Sequence, residues 1–291
     1  MDKILLTGAS GLIGHEVIEA LQGRWSIYAV SRRPYEHLSQ NTRMIHCDLA
    51  KKCDFSSFPK HMDAVVHLAQ SEHFREFPEK AEDIFGVNTL ATLRLLDYAR
   101  QAGAKTFVYA SSGGIYGYGD EGFRENQPIV AQKDLGFYLG TKLCSEIITE
   151  NYAPYMNIVI LRFFFIYGPR QNTTMLIPRL IRNVREGNPI VLQGSSGIRI
   201  NPTHVSDAAN AVVHSLGLMD SQKINVGGPE VLTLRQIGEI IGENVGKQPQ
   251  FEIQEGVQPH NLIGDTHKMA QLLMPPQVTF SEGVRSMLRS S

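Results

Sequence analysis

The sequence lacks an excess of charge of either sign and any long apolar run. Its 291 residues carry 28 basic and 29 acidic side chains, for a net charge of −1, and the basic residues form no block. This balance argues against nucleic acids and anionic membranes as partners. No apolar run approaches the roughly 20 residues of a membrane-spanning helix, and the apolar N-terminal stretch does not have the organisation of a signal peptide.

Cysteine is also scarce, and occurs at positions 47, 53 and 144. The number is odd and the spacing does not match that of a metal site. Free thiols in a reducing cytoplasm fit this usage. We therefore expect a cytoplasmic protein that holds no metal ion.

Glycine, in contrast, is placed with a regular spacing near the N-terminus. Residues 3–7 form a short apolar run typical of a buried parallel strand, and Gly8, Gly11 and Gly14 follow it directly. Residues 12–21 then have the pattern of an amphipathic helix. A strand, a glycine-rich turn and a helix can hold a pyrophosphate, because glycines let the backbone approach it and the helix N-terminus offers free N–H groups.

Apolar runs alternate with helical patterns along the first half of the chain. Strands are predicted at 26–30, 43–47, 64–68, 106–110 and 158–162, and helices at about 80–102 and 138–152. Such alternation predicts an α/β fold, a Rossmann-type doubly wound parallel sheet. From about residue 168 the elements become shorter. We expect a dinucleotide-binding domain over 1–167, with returns at about 201–229, and a smaller, interleaved C-terminal substrate-binding lobe over 168–291.

The end of the second predicted strand bears on the choice of cofactor. Dinucleotide-binding folds commonly place an acidic residue there, which binds the ribose hydroxyls of NAD. This chain has Ser31, Arg32 and Arg33 instead. A serine and two arginines would attract a 2′-phosphate, so the sequence favours NADP over NAD, although both arginines could also face solvent.

Tyr138 and Lys142 are spaced four residues apart on a predicted helix, so their side chains lie on one face. A cation about 4 Å from a phenol stabilises the phenolate by about 4 kcal/mol at an effective dielectric of 20, which lowers the pKa by about three. The phenol would then exchange protons efficiently near neutral pH. A hydroxyl in the turn 111–117, beyond the fifth strand, could share a substrate oxygen with Tyr138.

Together these motifs resemble the extended short-chain dehydrogenases/reductases, in particular the NAD(P)-dependent nucleotide-sugar epimerases and dehydratases. The resemblance covers nearly the whole chain. It is carried, in order, by Gly8-Ala9-Ser10-Gly11-Leu12-Ile13-Gly14, Cys47-Asp48-Leu49, Val66-His67-Leu68-Ala69, Val87-Asn88-Thr89-Leu90, the turn 111–117, Tyr138 and Lys142, Tyr167-Gly168-Pro169, Thr203-His204-Val205-Ser206-Asp207 and Asn225-Val226-Gly227-Gly228-Pro229.

The resemblance implies a role for individual residues. The implied catalytic residues are Ser112, Tyr138 and Lys142. The implied cofactor-binding residues are Gly8, Gly11, Leu12, Ile13, Gly14, Asp48, Leu49, Leu68, Ala69, Asn88, Tyr138 and Lys142, in addition to Ser31, Arg32 and Arg33. Tyr138 would exchange the proton on a sugar oxygen while hydride passes between the sugar carbon and the nicotinamide.

Three positions depart from the family pattern. Gly113 and Gly114 stand where 4,6-dehydratases carry an Asp-Glu pair, so dehydration is not expected. Phe165 replaces the asparagine that often contacts the substrate diphosphate. Arg199 lies one position away from the usual diphosphate-binding arginine, and a bulge could still present it. Ser112, Phe165 and Arg199 are the predicted substrate-binding residues.

The sequence therefore predicts an oxidoreductase or epimerase acting on a nucleotide-diphosphate sugar, with NADP favoured and NAD possible. A ketoreductase that consumes NADPH is slightly favoured over an epimerase that retains its cofactor. A reductase of a non-nucleotide carbonyl and a non-catalytic NADP-sensing protein are the further alternatives. The resemblance also implies a homodimer formed by the helices at about 88–100 and 138–152.

Overall fold

A computed structural model describes residues 1–32, 41–51, 53–129 and 135–289 of the chain. The strands are β1 (Lys3–Thr7), β2 (Ser26–Ser31), β3 (Thr42–His46), β4 (Ala64–His67), β5 (Thr106–Ser112), β6 (Asn157–Phe163), β7 (Ile166–Tyr167), β8 (Ile190–Gln193), β9 (Arg199–Ile200), β10 (Thr203–His204), β11 (Gln222–Val226), β12 (Leu232–Thr233) and β13 (Phe251–Gln254). The helices are α1 (Leu12–Leu21), α2 (Ala81–Phe85), α3 (Ala91–Gln101), α4 (Gly136–Glu150), α5 (Leu176–Glu186), α6 (Val205–Ser215), α7 (Leu234–Val245), α8 (His267–Leu272) and α9 (Phe280–Arg289).

The main sheet has seven strands in the order β11-β6-β5-β4-β1-β2-β3. The pairs β1–β2, β2–β3, β1–β4 and β4–β5 are parallel. The order reverses at β1, as in doubly wound sheets, where ligands bind beyond the carboxyl ends of the strands. The predicted fold class, a Rossmann-type parallel α/β sheet, is confirmed.

The chain divides into two compact units. The first contains Met1–Ile115, Ile129–Arg162 and Ala209–Ile224, and the second contains Tyr116–Pro128, Phe163–Ala208 and Asn225–Ser291. Both units are therefore built from separated parts of the chain. The division into a dinucleotide-binding domain and a substrate-binding lobe stays a prediction.

The core of the first unit forms because its central strands are apolar on both faces. Ile4, Leu5 and Leu6 of β1 and Val65 of β4 are fully buried, as expected of strands covered by helices on both sides. The chain between β4 and β5 is predicted as one helix over 80–102. The structure instead interrupts it with a π-helical turn at Gly86–Leu90, between α2 and α3. Such turns are frequent at functional sites.

The second unit has its own apolar core, formed mainly by α5, α7 and α9. Helix α7 begins with a capping box, in which the side chains of Thr233 and Gln236 each accept a hydrogen bond from the other residue's backbone N–H. Helices α5 and α7 end at Gly187 and Gly246, both with positive φ, the usual C-terminal stop signal. Short strands pair as β7–β10, β9–β12 and β8–β13.

The cysteines differ from the sequence-based expectation. Cys47 and Cys53 form a disulfide, with their Cα atoms 5.9 Å apart, and Cys144 is free. The prediction of three free thiols is therefore wrong for the first two, because the loop after β3 returns the chain to within disulfide distance. Cys47 and Cys53 therefore do not support the expectation of a reducing compartment. None of the helices in the described part of the chain is long and apolar enough to span a bilayer.

A buried ion pair links helix α4 to strand β6. The Arg162 guanidinium donates to the Glu146 carboxylate, with Nη2–Oε2 2.7 Å and Nε–Oε1 3.0 Å. The side chains are only 1% and 2% exposed. Removing one partner of such a pair leaves the other charge buried and uncompensated, which is far more costly than the loss of a surface pair.

We predict that Glu146→Gln lowers the free energy of unfolding by about 3 kcal/mol or more. Glu150→Gln is the matched control, because Glu150 lies one turn further on α4 and pairs with Lys223 at the surface. That control should cost less than about 1 kcal/mol. Urea unfolding of the three proteins measures both differences, and equal losses in the two variants would contradict the prediction.

Candidate functional site

The glycine turn between β1 and α1 requires glycine for steric reasons. Gly8 has φ +72°, and a Cβ there would lie 2.7 Å from the Ala69 backbone N. A Cβ at Gly14 would lie 2.2 Å from the Gly8 carbonyl oxygen. At these two positions the neighbouring backbones therefore leave no room for a Cβ atom. They belong to the turn, to α1 and to the segment after β4. Gly11 is the N-cap of α1 and supplies no side-chain cap, so N–H groups at the helix start can bind an anion.

A cleft of about 310 Å³ lies along the carboxyl ends of the strands next to this turn. It brings together eight of the predicted cofactor-binding residues, namely Gly8, Gly11, Ser31, Arg32, Asp48, Leu49, Leu68 and Ala69. It is also lined by Ser10, Val30, Cys47, Ala50, Gln70, Ser71, Glu72, Asp83 and Val87. Six other predicted cofactor-binding residues do not line it, namely Leu12, Ile13, Gly14, Asn88, Tyr138 and Lys142. The prediction for Arg33 falls outside the described residues.

Arg32 is held by an acidic neighbour in this cleft. Its Nη1 donates to Glu72 Oε1 at 3.1 Å, and both side chains are nearly half exposed. The bond to Glu72 raises the pKa of Arg32. Ser31 is buried, and its hydroxyl lies 3.4 Å from that of Ser10. An anion binding at Arg32 would therefore have to compete with Glu72.

Asn88 belongs to the π-helical turn, where its side chain is buried. Its Oδ1 accepts from the Ser71 backbone N at 2.9 Å, and its Nδ2 donates to Thr141 Oγ1 at 3.0 Å. One amide thus joins the segment after β4 to helix α4. Asn88 thus supports the backbone next to the cleft, and its role in cofactor binding stays a prediction.

Tyr138 lies on helix α4, and its hydroxyl donates to Gln70 Oε1 at 2.8 Å. The ring packs against Phe74, with centroids 5.2 Å apart. Burial raises the pKa of Tyr138 above its ordinary value. The phenol is therefore protonated at neutral pH.

Lys142 lies one turn further along α4, with its side chain 2% exposed. Its Nζ donates to the Ala110 carbonyl oxygen at 2.9 Å and lies 6.0 Å from the centroid of the Tyr138 ring. Burial lowers the pKa of Lys142 to about 8, and the nearby Glu146 carboxylate partly opposes this.

The structure does not show the expected lowering of the Tyr138 pKa. The sequence argument placed a cation about 4 Å from the phenol. In the structure the ammonium lies under the ring and is held by Ala110, and desolvation of the phenol raises its pKa. Helical spacing predicts that two side chains share a face, but it does not predict their desolvation.

Ser112 ends strand β5, and its Oγ accepts a hydrogen bond from the Gly114 backbone N at 3.1 Å. Helix α4 packs against this strand, so Ser112, Tyr138 and Lys142 lie on adjacent elements of the first unit. A Cβ at Gly114 would lie 2.9 Å from Leu139 Cδ2. The turn after Ser112 therefore has little room for a larger side chain.

Sequence reasoning missed Gln70, Glu72 and Asp83 as residues of the site. No motif marks them. Gln70 and Glu72 follow β4 directly, however, and ligands in open α/β sheets lie beyond the carboxyl ends of strands. Every polar residue in the first turn after a central strand is therefore a candidate, and this positional signal could have found both.

The remaining predicted substrate residues lie in the second unit. Phe165 has φ +41°, in the left-handed region that a bulky side chain rarely adopts. The Arg199 guanidinium donates to the Asp120 carbonyl oxygen, and its buried Nε has no hydrogen-bond partner among the described residues. The Arg199 backbone N donates to Asn261 Oδ1 at 2.7 Å.

Comparison with known proteins gives the site a context. The model of the family described as "NAD dependent epimerase/dehydratase family" matches residues 4–227. The chain is 27% identical to the UDP-glucuronate 4-epimerase of Thermodesulfobacterium geofontis, over 98% of this chain and 94% of that protein. It is 26% identical to the dTDP-D-glucose 4,6-dehydratase of Mus musculus, over 97% of this chain and 86% of that protein.

A solved structure extends the likeness to three dimensions. The fold resembles that of UDP-glucuronic acid 4-epimerase from Bacillus cereus in complex with UDP-glucuronic acid and NAD, with a TM-score of 0.87 and 25% sequence identity. The alignment covers 99% of this chain and 98% of that one. The relatives thus include both epimerases and dehydratases, and this neighbour binds NAD.

The lowered pKa of Lys142 predicts a pH-dependent stability. Its pKa is about 8 in the folded chain against 10.5 ordinarily, so between these values the unfolded chain binds more protons and stability rises with pH. The wild type should therefore gain up to about 3 kcal/mol over Lys142→Met between pH 8 and pH 10. Above pH 10 the buried tyrosines act in the opposite sense, because they resist ionisation.

Urea unfolding at several pH values measures this difference. Lys105→Met, at an exposed position, controls for the loss of a lysine as such. A constant difference between wild type and Lys142→Met across this range would show that the buried ammonium keeps its ordinary pKa.

Proposed function

The chain belongs to the NAD dependent epimerase/dehydratase family, and on that basis we propose that it epimerises a nucleotide-linked sugar with a nicotinamide cofactor that it retains. The observation that carries the proposal is the adjacency of a glycine-cradled dinucleotide cleft and the Tyr138–Lys142 pair in one unit. The similarity to UDP-glucuronate 4-epimerases, at 27% and 25% identity, supports it further.

The cleft fits a dinucleotide. At Gly8 and Gly14 a Cβ would occupy the space in which backbones meet, and the start of α1 leaves N–H groups for a pyrophosphate. Leu49 and Leu68 offer apolar surface along the cleft. When bound, the nicotinamide accepts hydride from a sugar carbon and returns it.

Tyr138 is the proposed acid–base residue. Its hydroxyl donates to Gln70 in the structure. We assign the place of the Gln70 oxygen to the sugar hydroxyl when substrate binds, which leaves the Gln70 amide free to contact the sugar. In its phenolate form, which the Lys142 cation favours, the same residue would take the proton from one sugar oxygen as hydride leaves the sugar carbon. It would give that proton back as hydride returns, as epimerisation requires.

Lys142 and Ser112 complete the proposed site. At neutral pH the Lys142 side chain is still mostly charged, because its pKa of about 8 lies above neutrality. Its ammonium lies 6.0 Å from the centroid of the Tyr138 ring, and a cation near a phenol favours the phenolate, which opposes the effect of burial. The Ser112 hydroxyl, fixed by the Gly114 N–H, has its own hydrogen free to donate to the sugar oxygen.

Dehydration is not part of the proposal. Gly113 and Gly114 supply no acid–base side chains after Ser112, and a Cβ at Gly114 would press against Leu139. The 4,6-elimination needs a base at carbon and an acid at the leaving hydroxyl. Although dehydratases are among the relatives, the first turn after Ser112 lacks both groups.

The substrate is proposed to be a nucleotide-diphosphate sugar. UDP-glucuronic acid occupies the Bacillus cereus neighbour, and Arg199 has a buried nitrogen with no described partner. Phe165 brings an aromatic ring where an amide is common in the family. We therefore propose that the ring packs against the substrate, with the diphosphate bound by Arg199 and backbone groups.

A ketoreductase is the second candidate, favoured by the end of β2. Ser31 and Arg32 lack the carboxylate that repels a 2′-phosphate, so we propose that NADP binds, as well as NAD. A reductase uses NADPH stoichiometrically, whereas an epimerase consumes none. The similarity to UDP-glucuronate 4-epimerases favours the epimerase, and Arg32 favours the ketoreductase.

The homodimer implied by the resemblance stays a prediction. Leu90, Leu93 and Ile147 are between 37% and 55% exposed. They lie in or near the two helices that the resemblance assigns to the interface. Their exposed apolar surface supports the proposal.

We predict that the purified protein converts UDP-glucuronic acid or UDP-glucose to its C4 epimer without net change in cofactor absorbance. Reactions started from either epimer should reach the same final ratio of the two epimers. Tyr138→Phe should reduce the rate at least 100-fold, because it removes the proton-exchanging group. Chromatography of the nucleotide sugars measures the conversion.

Three outcomes would contradict this proposal. Stoichiometric NADPH oxidation with a keto-sugar nucleotide would identify a ketoreductase. Turnover of a simple carbonyl, with no stabilisation by any nucleotide diphosphate, would identify a reductase of other substrates. Unchanged turnover in Tyr138→Phe would remove this residue from the mechanism.

The pairing of Arg32 with Glu72 predicts how the cofactor preference can be shifted. Arg32→Ala should weaken NADP binding about tenfold, because a charge-assisted bond to the 2′-phosphate is lost. Glu72→Gln should strengthen NADP binding several-fold, because it frees the guanidinium. Calorimetric titration measures both, and NAD binding to the same variants is the internal control. Equal effects on NAD and NADP would show that Arg32 does not contact the 2′-phosphate.

A further inference from the structure

His67 is a fully buried polar residue that the proposed mechanism does not use. It ends strand β4, directly before the Leu68 and Ala69 that line the cofactor cleft. Its ring lies between two threonines that are also fully buried, with Nδ1 2.7 Å from Thr7 Oγ1 and Nε2 3.0 Å from Thr92 Oγ1. We call these three residues the threonine–histidine network.

The direction of the hydrogen bonds on the Thr92 side follows from one carbonyl group. Thr92 Oγ1 lies 2.5 Å from the Asn88 carbonyl oxygen. A carbonyl can only accept, so the Thr92 hydroxyl hydrogen points to Asn88. Towards His67 the same oxygen must then accept. Nε2 of His67 therefore carries a hydrogen.

The Thr7 side is fixed by the charge of the ring. Among the described residues no carboxylate hydrogen-bonds to His67, and its ring neighbours are Phe107 and Tyr109. Burial together with the Lys142 cation lowers the pKa of His67 to about 3. In the neutral ring, Nδ1 has no hydrogen and must accept from the Thr7 hydroxyl. The Thr7 oxygen in turn accepts from the Ala69 backbone N–H, at 3.4 Å.

The network continues to the helix that carries Tyr138. The Asn88 side chain donates to Thr141 Oγ1, and the Thr141 hydroxyl donates to the Tyr138 carbonyl oxygen at 2.7 Å. Two sets of hydrogen bonds, which meet at the backbone and side chain of Asn88, therefore connect the cofactor cleft at Ala69 with the first turns of α4. This route through His67 adds to the direct link by the Asn88 side chain, which accepts from the Ser71 backbone N–H and donates to Thr141.

We propose that His67, as the neutral Nε2–H tautomer, is a positioning residue that holds the cofactor-binding segment after β4 in register with the helix of Tyr138. The proposal rests on the proposed function for the identity of the acid–base residue and of the ligand. The two hydrogen bonds of the His67 ring form two arms of this connection, which can be tested separately. The Nδ1 bond to Thr7 supports the cofactor side, and the Nε2 bond to Thr92 supports the Tyr138 side.

Two variants of similar size separate the arms. Asn at position 67 retains a polar atom near that of Nδ1, and Gln retains one near that of Nε2. His67→Asn should keep cofactor affinity within about twofold and lower kcat about tenfold. His67→Gln should do the reverse, with a cofactor Kd raised about tenfold and kcat nearly unchanged. Each tenfold effect corresponds to the loss of one buried hydrogen bond.

Two further measurements keep the test independent of turnover and of variant folding. Nitrogen NMR of wild-type His67 at neutral pH should show a protonated Nε2 and an unprotonated Nδ1. Amide hydrogen exchange should accelerate in α4 for His67→Asn and at Ala69 for His67→Gln. If the protein turns over no sugar nucleotide, the proposed function fails, and the tautomer, the exchange pattern and the cofactor Kd still decide this proposal.

The proposal is overturned by a charged ring or by the Nδ1–H tautomer in the NMR spectrum. It is also overturned if both variants change exchange and cofactor affinity in parallel with their loss of stability. That result would give His67 a general structural role without separate arms. Thr7→Val and Thr92→Val, which keep shape and remove one hydroxyl each, should reproduce His67→Gln and His67→Asn respectively.

Discussion

A close approach of three backbone segments at Gly8 and Gly14 constrains the elements around it in the first unit. Gly8 and Gly14 bring the end of β1, the start of α1 and the segment after β4 so near that a single Cβ would lie within 3 Å of backbone atoms. That contact places the free N–H groups of α1 beside the cleft and aligns Leu68 and Ala69 along it. The position of β4 then sets where His67 and Gln70 lie, and through them the surroundings of Tyr138. A larger side chain at either glycine would displace the whole arrangement.

Desolvation is the second influence on the site, and it acts on the two central residues in opposite directions. It raises the pKa of the Tyr138 phenol and lowers that of the Lys142 ammonium, so both neutral forms are favoured. The Glu146 carboxylate, which pairs with the buried Arg162, raises the pKa of Lys142 and so partly restores its charged form. The acid–base properties of the site therefore depend on charges two helical turns from the phenol. This coupling explains why a buried ion pair, which is weak evidence for stability, can still matter for chemistry.

The sequence was sufficient to predict the sheet, the glycine turn and the position of Tyr138 and Lys142 on one helix, because these follow from periodicity and from steric rules at particular residues. It could not predict contacts that depend on where loops return. The Arg32–Glu72 pair joins residues forty positions apart, and the disulfide of Cys47 and Cys53 depends on the path of one short loop. The resemblance to a family supplied roles for Ser112 and Asn88 that spacing alone does not give. The π-helical turn had no signal in the apolar pattern.

Phe165 has a strained backbone conformation in the second unit. Its φ of +41° is a conformation that asparagine and glycine adopt readily and a bulky aromatic residue does not. Backbone strain of this kind costs on the order of 1–3 kcal/mol and persists only where the surroundings impose it. The Phe165 carbonyl accepts from the Thr203 N–H, which holds the peptide in place whatever the side chain. An asparagine or a glycine at this position would relieve the strain, so the chain keeps the aromatic ring of Phe165 at a cost in thermostability.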